Sequence, residues 1–404
     1  MHQTLPRPHD QRLPPVLNII ALATFSASLS ARALDPVLPH IGQEYGVSIA
    51  AAASLASVFA FTFAVIQPVI GAAADLFGKA RLMIGCLVLL GLASIFGALS
   101  TSFSVLFATR ILAGIGSGGV FPVALGLTSD LVGPEKRQVA IGRTLAGAMT
   151  GNILGASASG LIGDFLGWRG VLALLGGLVV VASMAVAAGF RGAALVHPPR
   201  TSLSALRQGY WTILTNPNAR VCYSAVFIEG CCVLGLFPFI AAFLFDLGET
   251  SLSVAGIVIA GFAVGGLFYT LTVSRFLPRL GVKGMMISGA TLVGLQLIAT
   301  AFGPGWKFEF ASLLMMGWGF YMIHGCLQVF ASELSVEARA TALSLHSFFF
   351  FMGQTVGPIA YGFGIQHVGK LPTLFVAAAV MIALGLACAR LLRQRQSAAG
   401  SLPP

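Results

Sequence analysis

Four residues that can carry or exchange charge lie inside long apolar stretches of this chain: Arg32, Arg110, Glu229 and His324. A charge in hydrocarbon costs several kcal/mol, so each needs either a partner or a task. Glu229 follows Arg220 by nine residues, roughly 13 Å along a helix and close to the centre of a bilayer. Gly230, Cys231, Cys232 and Gly235 leave room beside it, and Pro238 can bend the helix nearby. Such a carboxyl either takes up a proton or a cationic substrate group, or stays neutral and hydrogen-bonded to a neighbouring helix. His324 has Gln328 one turn further on, on the same helix face. Its imidazole either relays protons and binds a polar solute, or is held neutral by a helix neighbour.

Arg32 and Asp35 are three residues apart and share a helix face, and Asp35-Pro36 with Leu38-Pro39 marks that helix running out. Arg110 enters its own apolar stretch at a similar depth. Asp35 then compensates one or both arginines as a structural pair, or forms a gate whose ion pairing breaks on opening. A third alternative is an anionic substrate docking on Arg32 and Arg110. His346, ahead of Phe348–Phe351, reads as a packing or gate residue, and Asn152 as a cavity hydrogen-bonder or as glue between helices.

Elements able to hold such residues in hydrocarbon must be membrane helices. Across 404 residues 57% are hydrophobic and only 9% charged, where a soluble protein has about 25%. The net charge of +10 is spread over the ends of apolar runs, which argues against a nucleic-acid surface. The six cysteines all sit in apolar runs without a CxxC pair, so disulfide and metal readings are set aside. No Walker A sequence, nucleophile elbow or dinucleotide fingerprint is present, and no cofactor is implied.

Apolar windows of about 19 residues can be placed twelve times, starting near Val16, Ile49, Leu82, Val105, Val139, Gly170, Ala219, Leu252, Gly284, Phe308, Ala340 and Pro372. The expected fold is all-α: twelve transmembrane helices in two pseudo-symmetric six-helix bundles. The bundles span residues 1–190 and 219–393, with a central loop at 191–218 that carries His197-Pro-Pro-Arg200 and a tail at 394–404. Eighteen Lys and Arg fall on the side of the termini, and only Arg169, Lys307 and Lys370 on the other, which places both termini in the cytoplasm. The first span is too long for a signal-peptide core, although Ala31-Arg-Ala33 mimics a cleavage site, so it is read as uncleaved.

Several motifs resemble those of the major facilitator superfamily of transporters. The link between the second and third spans carries Gly71, Asp75, Gly78, Lys79 and Arg81 at the spacing of the family's loop signature, with Leu76 in place of a cation. Arg110 and Gly114 match its R-x-x-x-G pattern. Span five reads Gly151-Asn152-Ile-Leu-Gly155-Ala156 through Gly160, Gly163 and Asp164 to Gly167-Trp168-Arg169. It is similar to the glycine ridge of drug/proton antiporters, with Asn152 and Ala156 at the two proline positions. Gly353-Gln354-Thr-Val-Gly357-Pro358 in span eleven is its counterpart.

The resemblance implies the superfamily fold in a bacterial inner membrane, a central cavity lined by spans one, four, seven and ten, and alternating access. Arg32, Arg110, Glu229 and His324 fall one on each of those spans. It implies a monomer exporting a small amphipathic or drug-like solute in exchange for protons, with Glu229 the lead protonation site and the Gly71–Arg81 segment a cytoplasmic gate. The alternatives are a proton-coupled importer of a small polar or anionic metabolite, favoured by the two arginines and the missing prolines, and a receptor that binds without transport. The expected partners are the solute, protons and lipid.

Overall fold

A computed structural model describes residues 14–191, 203–335 and 339–392, and among these there is no strand. The first six crossings comprise α1 (Val16–Ala31), α2 (Leu38–Tyr45), α3 (Ile49–Phe77), α4 (Lys79–Ala98), α5 (Phe103–Asp130) and α6 (Pro134–Gly189). After α7 (Leu203–Leu214) come α8 (Pro217–Cys232), α9 (Phe237–Asp246), α10 (Leu252–Phe302), α11 (Trp306–Glu333), α12 (Arg339–His367) and α13 (Lys370–Leu391).

Ten helical stretches of the described residues are long and apolar enough to cross a membrane, two of them 51 residues long. A bilayer core needs only about 20 residues of helix, and a backbone glycine divides each long stretch into two crossings. Gly167 (φ 66°) breaks α6 and Gly281 (φ 63°) breaks α10, at a positive φ that a side chain rarely tolerates. Beyond the break the helix folds back on itself: Gly147 lies against Ala21 and Gly189 against Ile19, only two residues apart on α1. Twelve crossings result, as expected.

The opening helix of each half, expected to run out at Asp35-Pro36 in the first and to bend near Pro238 in the second, is broken and restarted in both. α1 stops at Ala31, a 3-10 turn covers Asp35–Val37, and α2 restarts with Pro39 in its first turn. α8 stops at Cys232, a 3-10 turn covers Leu234–Leu236, and α9 restarts with Pro238 in its first turn. A proline lacks the N–H that an interior helix needs but fits a first turn. Asp35-Pro36 therefore marks a break and a restart, where the sequence suggested an end. The stretch expected as a loop contains α7, whose Ile213 is buried in the second-half core while Trp211 is exposed. His197 to Arg200, the N-terminal Arg7 and Arg12, and the 394–404 tail lie outside the described residues.

Each half is packed mainly around apolar residues of its own, and Ala53, Ala156 and Leu252 carry that packing across the seam. One cluster runs through Leu17, Met83, Leu87, Leu90 and Val120, the other through Tyr223, Phe237, Met286, Leu313 and Phe330.

Candidate substrate and proton pathway

Glu229 sits in the last turn of α8, fully buried at 0% exposure. Its neighbour Gly230 lets α12 approach so closely that a Cβ there would lie 2.4 Å from the Phe350 carbonyl oxygen. From α11, His324 brings Nδ1 to 2.8 Å from Glu229 Oε2. The histidine side chain keeps 15% exposure, so it stands between the sealed carboxylate and open space. Phe320 stacks on the imidazole at 4.9 Å and Phe350 leans on it at 5.0 Å. The 2.8 Å contact holds one proton between an acid and a base, as an ion pair or as a neutral pair. A second proton sets an imidazolium beside a neutral acid: the charge attraction is lost and only the acid's carbonyl oxygen is left to accept, so the contact weakens.

His346 belongs to this cluster. Its ring lies 5.1 Å from that of His324, and it is buried with Nε2 lacking a hydrogen-bond partner. The sequence reading, packing or gating, missed this because residues on α11 and α12 are brought together only by the glycine-tight packing of the second half. Glu229 Oε1 and the Oε1 of buried Gln354 are likewise unpartnered. Gln328 and Asn152 are exposed and make no hydrogen bond to a described residue; neither joins the pair.

In the first half, the break after α1 sets Arg32 at the seam between the halves. Its Nη1 lies 3.3 Å from Asp35 Oδ2, and its guanidinium stands 4.9 Å over the ring of Phe237 from the second half. Arg110 is buried, 4.5 Å over the Phe59 ring, with Nε unpartnered. Asp35 acts electrostatically on both arginines.

The loop signature is met in part. Gly78 takes φ 81° between α3 and α4, and Lys79 Nζ lies 2.6 Å from Asp130 Oδ2 at the end of α5. The loop cation Lys79 is thus bound within its own half. The side chains of Gly71 and Asp75 lie outside the described residues, and Arg81 is exposed.

The seam itself is closed by a residue to which sequence reasoning gave no role. Asp164 of α6 accepts from the backbone N–H groups of Leu252 and Ser253, both at 2.8 Å, and from the hydroxyls of Ser251 at 3.1 Å and Ser253 at 2.5 Å. A carboxylate of one half thereby caps the N-terminus of a helix in the other. The clue in the sequence was Ser251-Leu-Ser253 opening an apolar run, with an acid at the end of the glycine ridge. Gly160 and Gly256 let the two backbones meet, since a Cβ on either would lie within 2.4 Å of a carbonyl oxygen opposite. Beside them the first half's own far end is tied by Glu44, which accepts from Trp168 Nε1 at 2.6 Å and pairs with Arg169.

Among the described residues, the hydrogen bonds, ring contacts and glycine contacts joining the halves all lie between the end far from the termini and mid-depth. His40–Phe245, Ser48–Gln366 and Asp164–Ser253 mark the far end, and Phe63–Phe351, at 4.1 Å, the deepest point.

Two packed six-crossing halves, clamped at one end beside a buried acid–imidazole pair, define a membrane transporter. The chain belongs to the major facilitator superfamily, whose description matches residues 20–253 and 222–403. It is 25% identical over 368 residues to the quinolone resistance protein NorA of Staphylococcus aureus, covering 88% of this chain and 89% of that one. A chloramphenicol resistance protein of Streptomyces lividans is 31% identical over 157 residues, 39% of this chain and 40% of that one. Among solved structures, the nucleoside transporter NupG superposes with a TM-score of 0.77 at 14% identity, covering 95% and 100% of the two chains. A bacterial homolog of the human lysosomal transporter Spinster, in an inward-facing conformation, superposes at 0.72 and 19%, covering 92% and 93%. At these identities the structural likeness speaks for the fold alone.

Proposed function

We propose that this transporter exports a small amphipathic, drug-like solute in exchange for protons, and that Glu229 and His324 carry the proton. The observation that carries the reading is the 2.8 Å contact of a fully buried carboxylate with a part-exposed imidazole. Similarity to NorA along nearly the whole chain supports export over import. On the count of Lys and Arg, the end bearing the termini faces the cytoplasm of a bacterial cell, and the protein works as a monomer in its inner membrane. The clamped far end is then the outer gate, and the solute enters from the inside.

In this cycle the solute displaces the proton shared by Glu229 and His324, the halves rock, and the Arg32–Phe237 and Asp164–Ser253 contacts part. Outside, a proton returns to the pair and discharges the solute. His324 is the group the cavity reaches first, with Glu229 behind it. The working boundaries are bundles at 1–190 and 219–393, joined by the segment that holds α7.

Import of an anionic metabolite is the second reading, favoured by Arg32, whose side chain keeps 14% exposure at the seam. Overproducing cells separate the two. Export predicts lower accumulation of a quinolone or chloramphenicol, abolished by collapsing the proton gradient. Import predicts uptake gained on an anionic metabolite and no change for those drugs.

A further inference from the structure

A second acid lies in the same half, far from Glu229. Glu309 occupies the first turn of α11 at the far end of the bundle, 3% exposed, with neither carboxylate oxygen in a well-formed hydrogen bond among the described residues. It precedes His324 by fifteen residues on one helix, roughly 22 Å away. The carboxylate folds back over the turn between α10 and α11, so tightly that a Cβ on Gly303 would sit 1.7 Å from Oε1. The neighbouring polar groups are hydroxyls. The Thr300 hydroxyl of α10 is the donor nearest the carboxylate, and its Oγ1 lies 3.3 Å from Oγ of Ser312, one turn beyond Glu309 on α11, which also donates to the Gln296 carbonyl oxygen at 3.3 Å.

The charged group that faces Glu309 from another element is Lys370 at the start of α13. It is not within ion-pair distance: its ammonium stands 4.2 Å over the Phe243 ring, and Asp246 at the end of α9 shares its charge. An ionised carboxylate sealed in this way, with no cation at ion-pair distance, is strongly disfavoured. One negative charge among neutral hydroxyl oxygens matches a single positive charge, and falls short of what a divalent ion gathers.

We propose that Glu309, with the hydroxyls of Thr300 and Ser312, is a monovalent-cation site that holds a proton or Na⁺. The ion neutralises the carboxylate and ties the last turn of α10 to the first turn of α11. The site is separate from the Glu229–His324 pair and stands whether or not that pair carries the coupling proton.

The test uses the purified full-length chain in detergent, melted in NaCl against choline chloride at equal ionic strength. If Na⁺ is the occupant, a concentration tenfold above half-saturation raises the melting temperature on the order of 1–2 °C. The rise is lost in Glu309→Gln and in Gly303→Ala. The second variant leaves the carboxylate in place of sequence but pushes it off its seat, and Gly303 (φ −51°) accepts an alanine backbone. If a proton is the occupant, Na⁺ has no effect, and the infrared spectrum at neutral pH contains a protonated-carboxyl C=O band that Glu309→Gln removes. Gly303→Ala, whose Cβ drives the carboxylate off its seat, shifts or weakens the same band and covers the case in which Glu309→Gln does not fold. Neither a Na⁺-dependent melt nor a carboxyl band assigned to Glu309 overturns the proposal.

Discussion

Replacing Asp164 by alanine should bias the transporter toward a state open at the far end. The four N–H groups at the start of a helix have no partners within it. In α10, Val254 donates to the Ser251 hydroxyl and Ala255 to the Ser251 carbonyl, while Leu252 and Ser253 depend on Asp164 from the other half. Loss of a cap costs about 0.5–2 kcal/mol, and the charge at the helix end adds about 0.3–1. Asp164 is exposed, so water takes over part of the lost bonding and the low end applies, about 1 kcal/mol. Only the clamped state contains these bonds, so the ratio of open to clamped molecules should rise about fivefold. Spin labels at Gln43 and Glu249, on opposite sides of the far-end seam, would report the change as a larger population of long distances. Asp164→Asn, which keeps an acceptor and loses the charge, should fall between. An unchanged distance distribution in Asp164→Ala would refute the assignment of this carboxylate as the clamp, as would a shift toward the clamped state.

Gly160→Val should prevent far-end closure outright, because a Cβ there would lie 2.1 Å from the Leu252 carbonyl oxygen; the same labels should show the long distance alone. Glu44→Gln should weaken the first half without moving the seam, lowering its stability by at most about 1 kcal/mol in thermal melts, since the ion pair with Arg169 is exposed. His346→Phe keeps ring packing against His324 while removing a titratable nitrogen, so solute binding should persist and the pH dependence of transport should shift; an unshifted profile would make His346 a packing residue.

The twelve crossings were legible because hydrocarbon admits no unsatisfied backbone, so each crossing must announce itself as a long apolar run. Arg32, Arg110, Glu229 and His324 were legible for the same reason, since charge in such a run is conspicuous. What could not be read was which of them meet. His346 looked peripheral on its own helix, yet the closeness of α8 and α12 at Gly230 and Gly353 brings it to His324. Asp164 looked like the end of a glycine ridge, and its partners lie 87 to 89 residues further along the chain. Asn152 and Gln328 stood out as polar residues in apolar runs; both are exposed and neither is hydrogen-bonded to Glu229 or His324. Glu309 passed unremarked because an acid in a first helical turn is ordinary; its burial is a matter of the turn folding over Gly303.

The central claim is that Glu229 exchanges the coupling proton. It is tested most directly in liposomes holding Glu229→Gln, with a quinolone as probe and an imposed pH gradient. The account predicts that the variant still binds the probe but no longer accumulates it against its own gradient, whereas the unaltered protein does. Gradient-driven accumulation by Glu229→Gln at the unaltered rate would contradict it.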